Sequence, residues 1–243
     1  MIYFLTSSPF GVGSPFLNPA NGFIAALKRA LPSAPEAVFV CADPDRHAYT
    51  DHIAWDMRNA LEAAGIACAS FQVLDGRNPG EGARLLSSAG LVILAGGHVP
   101  TQNAFFHRVG LPGLMRAYAG VALGISAGSM NCAKLVYAQP EEAGEAVNPE
   151  YRRFLPGLGV TSTMLLPHYQ LVKDDTVDGL RLFADITLPD SMGRTFYAIP
   201  DGSYLLGEEN KETLYGEAYR IRDGRMEQIG WPEGAVRLSP EQK

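Results

Sequence analysis

Apolar residues in this chain fall into short unbroken runs, separated by stretches where they recur every three or four positions. Met1–Thr6 (MIYFLT) predicts a buried strand, followed by a Gly/Pro-rich loop and an amphipathic helix over about 21–31. Ala37–Ala42 (AVFVCA) predicts a second strand. Ile53, Met57, Leu61 and Ala64 then share one helical face over 50–64, with Gly65 placed to end that helix. Phe71–Leu74, Leu91–Ala95 and Val121–Ile125 predict three more strands, with helices over about 81–89 and 102–118 between them. Strands this uniformly apolar, alternating with helices, imply a sheet covered on both faces.

Beyond Leu165 the period changes. A helix is expected over 177–184, and then short β-like runs at 195–199, 203–206, 213–215 and 218–222, the last running into the turn dipeptide Asp223-Gly224. The predicted fold is therefore α/β, a mostly parallel sheet flanked by helices on both faces, with a C-terminal antiparallel β meander over about 194–238 that closes the sheet edge. No repeat or long linker divides the 243 residues, so a single domain over 1–243 is expected.

Composition narrows the function classes. Twenty Lys and Arg stand against 26 Asp and Glu, for a formal charge of −6, which argues against nucleic acid or an anionic membrane as partner. No apolar run reaches membrane-span length, and MIYFLTSSPFGVG lacks the basic start of a signal peptide. Cys41, Cys68 and Cys132 have no CxxC spacing, so neither a disulfide framework nor a thiolate metal site is expected, and a reducing cytoplasm is the expected location. Gly11-Val12-Gly13 runs into Ser-Pro rather than completing a dinucleotide fingerprint, and no clustered His/Asp spacing marks a metal. No cofactor and no metal are expected.

Candidate chemistry concentrates in VALGISAGSMNCAK (121–134). Gly124-Ile125-Ser126-Ala127-Gly128 fits G-x-S-x-G between an apolar strand and a helix-compatible run, the setting that raises a serine Oγ above the carboxyl end of a sheet. Ser126 is the candidate nucleophile and the Ala127 N–H a candidate oxyanion donor. Leu94-Ala95-Gly96-Gly97-His98 ends another strand at the same edge. Its paired glycines allow close backbone approach, making Gly97 the second donor, with Gly96 and His98 expected to line the pocket. Thr101, Gln102 and Asn103 follow, as substrate contacts or helix caps. Of the five histidines, His168 follows the apolar run Met164-Leu165-Leu166 and the rigid Pro167, a position suited to a general base. Spacing does not choose the carboxylate that would orient it among Glu141, Glu142, Glu145 and Asp201.

The AGGH loop, the GISAGSM elbow and the LLPHY strand end, in that order, resemble the peptidase E (aspartyl dipeptidase) and cyanophycinase family of serine hydrolases, of class I glutamine amidotransferase-like fold. The resemblance spans Leu91–Tyr169. It implies Ser126 as nucleophile, His168 as base, and Gly97 and Ala127 as oxyanion donors. It puts the third carboxylate about fifteen residues past the serine, at Glu141 or its neighbour Glu142, of which Glu141 is chosen. Amidotransferases of comparable sheet carry an acid two residues after the histidine, where this chain has Gln170. The dipeptidases use an arginine after the histidine to hold an aspartyl substrate. Here YQLVKDDTVDGL (169–180) offers only Lys173, which takes the substrate-binding place but is no bidentate fork, so strict Asp-X specificity does not follow from the resemblance. The function implied is hydrolysis of a small dipeptide-like substrate by a monomer or homodimer. An esterase or amidase with the same triad, and a non-catalytic small-molecule binding module, are the alternatives.

Overall fold

In a computed structural model, which describes residues 1–209 and 211–239, five parallel strands form the heart of the main sheet. They are β1 (Ile2–Thr6), β2 (Glu36–Val40), β3 (Ser70–Leu74), β4 (Leu91–Leu94) and β5 (Val121–Ile125), ordered β1-β5-β4-β2-β3. Six helices connect and follow them: α1 (Phe23–Ala30), α2 (His47–Ala63), α3 (Gly82–Ser88), α4 (Val99–Arg108), α5 (Leu111–Ala117) and α6 (Ala127–Asn131).

The continuously apolar strands are explained by two cores, one on each face. Val38, Val40, Val92, Leu94 and Ala122 point to one face, where Leu85, Leu86, Phe105, Phe106 and Met115 of α3, α4 and α5 cover them. The alternate residues Ala37, Phe39, Leu91, Ile93 and Leu123 meet Phe23, Leu27, Met57 and Leu61 of α1 and α2 on the other. The expected doubly covered α/β sheet is thus the observed one.

Three expectations are corrected. The helix expected over 102–118 is two: Gly110 adopts a left-handed φ of 69° and Pro112 stands in the first turn of α5, so the backbone breaks there. In place of a helix over 177–184, β9 (Thr176–Val177) and β10 (Leu180–Arg181) form a hairpin, and a π-helical turn follows at Leu182–Thr187. The hairpin turn is Asp178-Gly179, with φ of 53° and 81°, an Asp-Gly signal strong enough to override the apolar spacing around it.

The C-terminal antiparallel strands, finally, are divided between two sheets. β12 (Tyr204–Glu208), β13 (Lys211–Tyr215) and β16 (Ala235–Leu238) extend the main sheet beyond β1. β14 (Ala218–Arg222) and β15 (Arg225–Gly230), joined at Asp223-Gly224 as expected, build a second sheet with β11 (Thr195–Ala198) and β8 (Met164–Leu166). A two-stranded ribbon of β6 (Leu135–Tyr137) and β7 (Phe154–Pro156) and two short helices, α7 (Tyr169–Val172) and α8 (Leu188–Asp190), complete the chain. Among the described residues no helix is long and apolar enough to cross a membrane.

One buried carboxylate ties the main sheet to the segment that leads into β8. Glu212 of β13, 1% exposed, accepts hydrogen bonds from the hydroxyls of Tyr3, Thr161 and Thr163, the last at 2.6 Å. Burial and the adjacent carboxylate push the Tyr3 hydroxyl up, so it remains a donor at any physiological pH. Replacing Glu212 by alanine strands three hydroxyls beside a cavity and is expected to cost about 3 kcal/mol. Urea unfolding of the variant should show a lower midpoint at unchanged slope.

Candidate active site

Ser126 sits where β5 turns into α6, with φ 51° and ψ −115°, a conformation that non-glycine residues seldom adopt. The turn is held because its N–H reaches the carbonyls of Thr6 (3.1 Å) and Ser7 (3.2 Å) at the end of neighbouring β1. It is tight because α6 starts against β4: a Cβ at Gly128 would lie 2.3 Å from the Leu94 carbonyl oxygen. Ala127, the first residue of α6, carries an N–H that has no acceptor within its own helix.

His168 follows β8 and Pro167, itself at a left-handed φ of 58°. Its Nε2 lies 2.9 Å from Ser126 Oγ and its Nδ1 2.8 Å from Asp201 Oδ1, on the turn between β11 and β12. A carboxylate only accepts, so Nδ1 carries the proton and Nε2 is left to accept from the serine hydroxyl. Ser7, at the end of β1, locks this arrangement from behind. Its Oγ accepts the His168 backbone N–H at 2.7 Å and donates to Asp201 Oδ1 at 2.6 Å. Gln170 Oε1 accepts the Asp201 backbone N–H at 3.0 Å, so the residue at the amidotransferase acid position braces the carboxylate instead of replacing it. Burial pushes the Asp201 carboxyl up. The hydrogen bonds from His168 and Ser7, with the His168 charge and the Gln170 contact, outweigh this and leave it below its ordinary range.

The expected carboxylate, Glu141, is corrected to Asp201 as the partner of the imidazole. Glu141 lines a small cavity of about 80 Å³ that also touches Ser126 and His168, but its Oε1 accepts the Val99 N–H at 3.3 Å. The cause is local. Glu145 Oε2 accepts the N–H groups of both Glu141 and Glu142, and Asp178 those of Gly144 and Ala146, so this turn is clamped toward the start of α4. His168 Nδ1 faces the β11–β12 turn instead. Burial, the largest influence, holds the Glu141 carboxyl above its ordinary range.

Two substrate contacts expected from sequence also lie elsewhere. Gln102 is fully buried, its Nε2 donating to the Ala95 carbonyl at 2.6 Å and its Oε1 accepting from Asn131 at 3.0 Å, which ties α4 to α6. Lys173 is exposed and pairs with Asp174 at 3.3 Å, away from the cavities that hold Ser126. Gly96 and Gly97 do line the cavity beside Ser126. His98 lines an adjoining cleft, with Nδ1 2.7 Å from Thr101 Oγ1 and Nε2 2.8 Å from Glu145 Oε1. His98, Glu142 and Glu145 place one ligand atom each within 4.8 Å of one another, a set that could hold a metal ion. Both imidazole nitrogens and both Glu145 oxygens already have protein partners there.

The cavity over Ser126 has a volume of about 280 Å³ and a wall of Phe10, Phe39, Tyr49, Ile53, Met57 and Ile125. Sequence reasoning missed this wall, and missed Ser7. The wall residues come from β1–α1, β2–α2 and β5, so only the sheet order unites them. Ser7 carried one legible sign, a hydroxyl just past a strand of the parallel sheet.

Gly97 has no room for a side chain: a Cβ would lie 2.5 Å from the Ala42 Cβ. Gly97→Ala is therefore expected to displace this loop at the edge of the Ser126 cavity and to lower the midpoint of thermal unfolding.

No family model matches this sequence, and no curated protein matches it. Solved structures do. The chain is similar to a peptidase from an acI-B1 Actinobacterium, with a TM-score of 0.68 and 14% identity over 98% of this chain and 96% of that one. It is similar also to a protein of Listeria monocytogenes EGD-e named as a candidate peptidase E, with a TM-score of 0.52 and 18% identity over 98% of both chains. At such identities the likeness speaks for a shared fold.

Proposed function

We propose that this protein is a serine-type peptidase that hydrolyses an amide bond of a small, dipeptide-like substrate through Ser126, His168 and Asp201. The observation that carries the reading is the unbroken relay Ser126 Oγ–His168 Nε2, His168 Nδ1–Asp201 Oδ1, opening into a cavity. His168 takes the hydroxyl proton as Oγ attacks the amide carbonyl. The N–H groups of Gly97 and Ala127 receive the developing oxyanion, and the Asp201 carboxylate steadies the imidazolium. His168 then protonates the leaving amine; a water next attacks the acyl-serine with His168 as base, and His168 returns that proton to Ser126 Oγ as the acid is released. The peptidase names of the two solved neighbours support this choice of bond. The free thiols Cys41, Cys68 and Cys132 support a reducing compartment such as the cytoplasm, and the whole chain is proposed to work as one domain.

The test is a panel of dipeptides and matched aryl esters, with released amine and alcohol quantified separately. Peptide cleavage by the parent protein is the expected result. Cleavage of the esters alone would make the protein an esterase, and turnover of neither would leave a binding module.

A further inference from the structure

The position of Ser126 divides its surroundings into two sides with different chemistry. Nε2 of His168 must hand its proton to the leaving nitrogen, so the amine departs on the imidazole side of the serine. The small cavity at Ser126 and His168 is lined also by Pro167 and Val172, which flank His168 in the chain, by Leu182 and by the carboxylate of Glu141. The larger cavity, about 280 Å³, shares Ser126, His168 and Gly97 with it but has α2 residues Tyr49, Ile53 and Met57 in its lining in place of Pro167, Val172 and Leu182. Its apolar lining is Phe10, Phe39, Tyr49, Ile53, Met57 and Ile125, and its polar groups include the Ser7 and Ser8 hydroxyls, the Gly96–Gly97 backbone, Ser126 and His168. Among the described residues no Lys or Arg lines it. In the adjoining cleft Arg46 lies over the Tyr49 ring at 4.7 Å and shares the space with His98 and the carboxylates of Asp43 and Glu142.

We infer that the larger cavity, lined by α2, is the acyl-side specificity pocket and that it selects a neutral, apolar side chain, of the Phe, Leu or Met class, rather than an acidic one. This rests on the serine-peptidase reading above and names its substrate. An aromatic or branched side chain fills the pocket and removes its wall from water. An aspartyl side chain would bring a carboxylate into the same space with no cation to meet it, and with two carboxylates in the next cleft. The preference is therefore set on both sides, by apolar contact for the favoured substrates and by an unpaired charge against the acidic ones.

The experiment compares kcat/KM for Phe-Ala, Leu-Ala, Met-Ala, Ala-Ala and Asp-Ala, after labelling of Ser126 by a small fluorophosphonate has been measured on the same preparation. The expected result is that Phe-Ala, Leu-Ala or Met-Ala leads and exceeds Asp-Ala by about a hundredfold or more. Ile53→Arg, at a half-buried position on the wall, puts a cation into the pocket. With its circular dichroism spectrum unchanged, it should shift the Asp-Ala to Phe-Ala ratio at least about tenfold toward Asp-Ala. A profile that is flat or led by Asp-Ala, from protein whose Ser126 labels, overturns the pocket assignment and leaves the catalytic one standing; labelled protein that cleaves none of the dipeptides overturns the peptidase reading, and the pocket assignment with it. Protein that neither labels nor cleaves overturns the catalytic reading, and the pocket assignment falls with it.

Discussion

Replacing Ser126 by alanine is expected to lower kcat by about a millionfold, while the protein remains folded and KM changes little. The size follows from what is lost. Without Oγ there is no acyl intermediate, so His168 and Asp201 have nothing to activate, and only the Gly97 and Ala127 donors and substrate binding remain. Folding should survive, because the strained φ of 51° is held by the Ser126 backbone N–H to Thr6 and Ser7, not by the hydroxyl. The measurement is single-turnover and steady-state hydrolysis of one cleavable dipeptide, with thermal unfolding as the control. A variant as fast as the parent would remove Ser126 from the mechanism.

The second prediction separates two carboxylates that the sequence could not tell apart. Asp201→Asn should lower kcat by about 10⁴-fold near neutral pH, because an amide on Nδ1 can donate and so favours the tautomer in which Nε2 no longer accepts from Ser126. Glu141→Gln should change kcat less than about tenfold, since its carboxylate bonds the Val99 N–H and not the imidazole. The reverse order of effects would return the triad to Glu141. A stability readout follows from the same bond. The Asp201 carboxyl is held below its unfolded value of 3.8, so its contribution is whole above that pH and is lost as the pH falls through the lowered native value. In Asp201→Asn the loss of stability below about pH 4 should accordingly be shallower than in the parent.

Why Asp201 was hard to choose and Ser126 was not is a matter of sequence distance. The elbow is local: the strand, the strained serine and the helix that packs on Leu94 lie within one stretch, Val121 to Asn131, so residue types and order disclose it. His168 was legible for the same reason, as a polar residue at the end of an apolar strand. The link to Asp201 depends on β11 pairing parallel with β8, in register Ala198 to Leu166, which sets the two strand ends side by side. No local pattern encodes that pairing, and a 33-residue separation gives it no periodic signature. The apolar pocket was invisible for a related reason. Ile53 and Met57 read as ordinary core positions of an amphipathic helix, and only the placement of α2 over the ends of β2 and β4 turns that face into a cavity wall. Where local signals competed, the turn won: Asp178-Gly179 made a hairpin out of a stretch whose apolar spacing suited a helix.

The central claim is that the Ser126 hydroxyl is activated by His168, and covalent trapping tests it most directly. After incubation with a small fluorophosphonate, digestion and mass spectrometry should place one adduct on the peptide carrying Ser126, with labelling slowed by orders of magnitude in His168→Ala. An unmodified Ser126 at saturating reagent, or equal labelling with and without the imidazole, would contradict the account.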